Sequence, residues 1–232
     1  MKMEALINDF AVRSFRDVAD GDYIAARMAC RVGLVIQFLW SSQQAMEKYL
    51  KCVLLLNRVP AKDVGHDLGK ALSRINASGK LTIELTPPTG EFIQKLDQCG
   101  ACRYLEVSHF ALGSDLVVLD RAAWELRRYC ILGDVGQRAR LQEGIVPPKV
   151  RISGGYLEKI IDDENNLARE ALLWQNGFFG KRPRKKVRLN GWLQFHNAPL
   201  SLNPEMLDEV LKYVHLPKEL IEGYRTHAKH KA

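Results

Sequence analysis

Apolar residues recur at steps of three and four through most of the chain, and the first half reads as helix. From Tyr23 to Asn57 there is no proline and one glycine, Gly33. That run is longer than an ordinary globular helix, so a break is expected near Gly33, with Asp20 and Asp22 as caps at its start. Leu39, Met46, Leu50, Val53 and Leu54 mark its buried face. Asn57 to Pro60 ends it. His66–Asp67–Leu68 opens a further helix to about Ile75, closed by Ala77–Ser78–Gly79. A loop holding Pro87 and Pro88 leads to a helix from Glu91 to about Val107, with Phe92, Ile93, Leu96 and Leu105 inward. The next spans about Asp115 to Leu132 and turns Leu116, Leu119, Ala123, Leu126 and Tyr129 or Cys130 to the core. Four or more helices with no convincing strand predict an all-α fold, an antiparallel helical bundle over residues 1–145.

A boundary is expected after Gly144–Val146 and Pro147–Pro148. Residues 146–232 read as a small, basic, mainly helical appendage. Tyr156 to Trp174 has helical periodicity through Leu157, Ile160, Ile161, Leu167, Ala171 and Leu172, and Asn176–Gly177 stops it. Asn190–Gly191 suits a type I′ turn, so a small hairpin is expected at 186–195. Asn203–Pro204 starts a short helix to about Val214, and another is expected from Pro217 to about Arg225.

The charge changes this picture only at one end. The net charge is +7, but residues 1–180 hold 23 Lys and Arg against 22 Asp and Glu, whereas residues 181–232 hold 11 against 5. The excess centres on KRPRKKVR, where Lys181, Arg182, Arg184, Lys185, Lys186 and Arg188 supply six cations in eight residues. With Trp192 and Phe195 nearby, this segment mixes charge with rings on which bases can stack, as non-specific binding of RNA or DNA requires. The plain alternative is a solvated linker. Five cysteines, an odd number in helical contexts, argue for a reducing compartment rather than a disulfide framework. No apolar run is long enough to span a membrane, and MKMEALINDF, with Glu4 and Asp9, lacks the apolar core of a signal peptide. A cytoplasmic protein without membrane partners is expected.

The most specific text is FLWSSQQAMEKYLKCVLLLN, residues 38–57. Gln43–Gln44–Ala45–Met46–Glu47–Lys48–Tyr49–Leu50–Lys51 is followed by His66–Asp67–Leu68 and then by RYLEVSH, Arg103 to His109. In this order the three elements resemble the HEPN domain (higher eukaryotes and prokaryotes nucleotide-binding), over about residues 20–135. The resemblance implies a bundle of four to five helices, usually paired as a homodimer. It implies either a metal-independent endoribonuclease, often a toxin held by a separate antitoxin protein, or a catalytically inactive module that binds a nucleotide, a nucleic acid or a partner protein.

For the nuclease, Arg103 and His109 are the expected catalytic pair, supported by Glu47 and Tyr104. Histidine, with a reference pKa of about 6.5, can take a proton from a ribose 2′-hydroxyl or give one to the leaving oxygen. Arginine can hold the phosphate and offset charge building on its oxygens. No carboxylate cluster is present, and no metal or cofactor is expected. Residues six apart on a regular helix are rotated by about 240°. The pair therefore needs a helix break near Val107–Ser108 or two chains meeting at a two-fold axis.

Other readings stay open. Active members of the family usually carry Asn, Asp or His after the arginine, and Tyr104 fits the binding branch instead. A purely structural pair is a further possibility, with Arg103 on Glu47 or Glu106 and His109 at a helix C-terminus. Glu47, Lys48 and Lys51 read first as a solvated or intramolecular salt-bridged face, and the functional alternative places Glu47 near Arg103 to orient it. Cys99–Gly–Ala–Cys102 is one CxxC without a second pair, which points to packing rather than zinc. His66 is expected to start its helix or to fill a polar contact.

Overall fold

The structure, a computed structural model, describes residues 3–101, 110–130, 155–179, 192–194, 208, 211 and 218–229. It is mostly helical. Helix α1, Met3–Ala11, runs through a π-helical turn, Val12–Arg16, into α2, Asp17–Arg31. Helix α3 is Val35–Leu56, α4 is Leu68–Ala77 and α5 is Pro87–Ala101. Strand β1, Phe110–Leu112, leads into α6, Gly113–Arg127, and a 3₁₀ turn, Arg128–Cys130. Helices α7, Tyr156–Asp162, and α8, Leu167–Leu173, follow, then strand β2, Trp192–Gln194, and α9, Lys218–Lys229.

The break near Gly33 is present, and its chemistry is local. Gly33 has φ 78°, and the Leu34 N–H donates to the Ala29 carbonyl at 2.8 Å while the Gly33 N–H donates to that of Cys30 at 3.2 Å. These two bonds satisfy carbonyls that the end of α2 leaves open, and glycine takes the left-handed conformation without a Cβ clash. Helix α3 ends in the same way, with Arg58 at φ 57° and Val59 N–H on Leu54 O at 2.8 Å. The turn folds α3 back along α2. Tyr23, Phe38, Met46, Tyr49, Leu50 and Leu54 are fully buried there, with Leu96 of α5 and Leu116 and Leu119 of α6 around them.

Several elements differ from the sequence expectation. Asp20 and Asp22 are not caps: α2 begins earlier, at Asp17, Asp20 is buried in its first turn, and Asp22 accepts from Lys48 Nζ at 2.5 Å. Pro87 and Pro88 are not in a loop but open α5, where a missing N–H costs nothing because first-turn donors have no intrahelical partner. The expected helix at 156–174 is two helices. Asn166 breaks it by accepting from the Ala168 N–H at 3.0 Å as an N-cap, which leaves Leu167 94% exposed rather than inward. A strand was not expected before α6, yet β1 pairs antiparallel with β2, Ala111 opposite Leu193. Residues 186–191 of the expected hairpin lie outside the described residues, as do the 102–107 end of the helix after Glu91 and nearly all of the helix expected at 203–214.

Residues 155–179 pack on the bundle. Leu157, Ile160, Ile161 and Leu172 belong to the same apolar cluster as α2, α3 and α6. Two buried ionic groups join the layers. Arg127 of α6 grips Asp20 at 2.7 and 2.8 Å and Glu158 of α7 at 2.8 and 2.9 Å, while the Tyr49 hydroxyl donates to Asp20 at 2.7 Å. Arg27 of α2 donates to Asp120 of α6 and to the carbonyls of Ala171, at 2.9 Å, and Trp174. The Tyr23 hydroxyl donates to Asp120 at 2.6 Å and accepts from Asn176 at 2.8 Å. Phe179 packs its ring against Tyr23 and Trp124. Burial, reinforced by the neighbouring aspartates, pushes both tyrosine hydroxyls well above their usual range, so they act as hydrogen-bond donors.

Candidate functional site

The glutamine-rich helix and the helix start at His66 meet at one carboxylate. Gln43, Glu47 and Lys51 stand four residues apart on α3 and therefore share a face. Lys51 Nζ lies 2.6 Å from Glu47 Oε1, and His66 Nδ1 lies 2.9 Å from Oε2. Gln43 Nε2 donates to the His66 carbonyl at 3.0 Å and lies 3.4 Å from Oε2. Both carboxylate oxygens of a nearly buried glutamate are thus engaged. Burial pushes the Glu47 carboxyl up, but the bonds from Lys51 and His66 outweigh it and hold the carboxyl below its ordinary value. A carboxylate can only accept, so Nδ1 is the ring nitrogen that donates to Glu47. The His66 side chain is 59% exposed, so its imidazole is anchored on one side and open on the other.

The start of α4 is held to α5 immediately beside this contact. Asp67 caps α4 by accepting from the Lys70 N–H at 2.6 Å. Asp97 of α5 accepts from the N–H groups of Leu68 and Gly69 at 2.8 and 2.9 Å. The first-turn donors of α4 are therefore occupied by two carboxylates. Burial pushes the Asp97 carboxyl up, against the lowering by those backbone donors. The described part of α5 ends at Ala101, about one turn beyond Asp97. The opposite end of α5 is fixed by Glu125 of α6, which accepts from the Thr86 N–H at 3.1 Å and its hydroxyl at 2.9 Å.

Of the residues expected from the sequence, Glu47 is described, and its partners are Lys51, His66 and Gln43. Lys48 belongs to a different contact, between Asp22 and Gln44. Arg103, Tyr104 and His109 lie outside the described residues, as do Lys181, Arg182, Arg184, Lys185, Lys186 and Arg188. His66 fills the polar contact expected of it, and the i, i+4 spacing from Gln43 through Glu47 to Lys51 was the legible signal. The Glu47–His66 pairing itself left no local signal, because it joins a helix to a loop. Cys102 is also outside the described residues. Among them no group of three or more His, Cys, Asp or Glu side chains is placed to hold a metal ion, and no helix is long and apolar enough to cross a membrane.

No protein-family model matches the chain, and no curated protein and no solved structure is found similar to it.

Proposed function

We propose that the chain is a HEPN-type helical module that acts on RNA as a homodimer, with Arg103 and His109 at its cleavage site. The observation that carries this reading is the convergence of motif elements far apart in sequence. Glu47 and Gln43 hold His66 at 2.9 and 3.0 Å, and Asp97 reaches the helix start two residues beyond it at 2.8 Å. Arg103 follows Asp97 by six residues. A corner built from the first two elements therefore adjoins the helix that leads into the third. That arrangement suits a site assembled from all three.

In this reading His109 takes the proton of a ribose 2′-hydroxyl, and the freed oxygen attacks the adjacent phosphorus. The bond from phosphorus to the 5′-oxygen breaks, leaving a 2′,3′-cyclic phosphate, and the 5′-oxygen leaves with a proton from the protonated histidine of the pair. Arg103 offsets charge on the non-bridging oxygens. Lys181, Arg182, Arg184, Lys185, Lys186 and Arg188 hold more of the strand by charge. A toxin-like role, with a separate antitoxin protein covering the site, belongs to the same proposal. Incubating the protein with single-stranded RNA in EDTA tests it: cleavage that His109→Ala abolishes supports it.

Tyr104 favours a second reading, in which the same cleft binds a nucleotide or a partner protein without cleaving. Retained RNA or nucleotide binding with no cleavage by wild type would select that reading.

A further inference from the structure

Helix α2 has a face that the bundle leaves uncovered. Val18, Gly21, Ala25, Met28 and Val32 follow one another at steps of three and four, so they form one stripe along the helix. Val18, Ala25, Met28 and Val32 are exposed, Val32 to 69%, and Gly21 is half-exposed. The opposite face, with Tyr23, Ala26 and Cys30, is in the core. A surface helix ordinarily turns polar side chains outward. Here they stand only at the margins, as Asp17 and Arg31 on one flank and Asp22, paired with Lys48, on the other.

Gly21 adds an independent observation. Glycine in mid-helix is less stable than alanine. The fold gives no reason for it, since φ there is not positive and an added Cβ would meet nothing within 4 Å. Close approach of a surface from outside the chain is the physical use left for it.

We infer that this stripe is where a second copy of the chain packs, with the two α2 helices antiparallel about a two-fold axis near Ala25. Residues whose numbers sum to about 50 then face each other. Val18 meets the partner's Val32, and Met28, the largest side chain of the stripe, meets the partner's Gly21, the smallest. An isologous pairing brings a flank against the same flank of the other copy. Asp17 therefore comes beside the partner's Arg31, opposite in charge, and Asp22 faces no like charge. Within the chain Asp17 accepts from Arg16 at 2.8 Å, and Arg31 lies 3.4 Å from Glu170 and over the Trp174 ring, but both side chains stay about one-third exposed. An unrelated partner helix would have no reason to match this internal symmetry. The inference rests on the homodimer proposed above, but not on its chemistry.

Sedimentation equilibrium of the full chain tests it, with circular dichroism as a check on helix content. Wild type should be a dimer. Gly21→Leu and Met28→Glu, at open positions, should each weaken the dimer at least tenfold with helix content unchanged. Asp17→Arg and Arg31→Asp should each weaken it, and the two together should restore it. Ala25→Cys, in a Cys99→Ser, Cys102→Ser background, gives a readout independent of those variants: oxidation with diamide should link two copies, and should not link that background alone or with Lys159→Cys. A dimer indifferent to Gly21→Leu and Met28→Glu, with no link through Ala25→Cys, would overturn the inference while leaving the homodimer standing. A monomeric wild type would overturn both.

Discussion

Glu47 Oε2 lies 2.9 Å from Nδ1 of His66, nineteen residues further along the chain. The contact ties the middle of α3 to the loop that starts α4, and it does so with a carboxylate that also serves Lys51. Truncating it in Glu47→Ala leaves Lys51 and His66 without this acceptor and Gln43 with the His66 carbonyl alone. The expected loss is about 1–3 kcal/mol, the usual cost of a buried hydrogen-bonding partner removed, measured by urea unfolding at neutral pH.

The same carboxylate carries a pH signature. Lys51 and His66 hold its folded value below the ordinary one of about 4.3, so its stabilisation is complete above that pH and is lost as pH falls through the lower folded value. The stability curves of wild type and Glu47→Ala should therefore converge on acidification. Curves that stay parallel down to pH 3 would contradict the ionised contact.

Arg127 and Asp20 test the buried ionic layer. Asp20 has no exposed surface, and Arg127 is its principal cationic partner. Arg127→Met should cost about 3–5 kcal/mol, because a buried carboxylate is left uncompensated. Replacing both, as Arg127→Met with Asp20→Leu, should recover part of that loss in the same unfolding measurement.

Arg27 joins α2 to the end of α8 through the carbonyls of Ala171 and Trp174. Arg27→Met, combined with Asp120→Asn so that no uncompensated carboxylate is left in the core, should loosen this end before the bundle unfolds. Hydrogen exchange should accelerate for amides at 171–179 while those in the middle of α3 stay protected. Uniform acceleration across the chain would show that the segment is not a separable layer.

How much of this was legible follows from the range of each interaction. The breaks at Gly33 and Asn57 and the helix start at His66–Asp67–Leu68 were readable, because a helix end is decided within a few residues. Apolar spacing likewise located Leu39, Met46, Leu50, Leu116 and Leu119 in the core. The reading of 156–174 as one helix failed because Leu167 kept the apolar period while Asn166 broke the backbone. Asp20 looked like a cap because its partner Arg127 is 107 residues away, and no local pattern carries such a pairing. The β1–β2 ladder escaped for the same reason. At the candidate site, the spacing of Gln43, Glu47 and Lys51 was visible, but the seat of His66 on that face required the fold of the intervening loop.

The basic segment makes a separate prediction. Binding of single-stranded RNA should fall by roughly 10⁴ for a tenfold rise in salt if its six cations each neutralise a phosphate. Changing Lys181, Arg182, Arg184, Lys185, Lys186 and Arg188 to glutamine should flatten that slope in a fluorescence anisotropy titration. An unchanged slope would remove the segment from the interface.

The most direct measurement is the fate of end-labelled single-stranded RNA incubated in EDTA with wild type, Arg103→Ala and His109→Ala. The account predicts cleavage by wild type to products ending in 2′,3′-cyclic phosphate, and intact RNA with either variant. RNA left intact by wild type across diverse sequences, or cut equally well by His109→Ala, would contradict it.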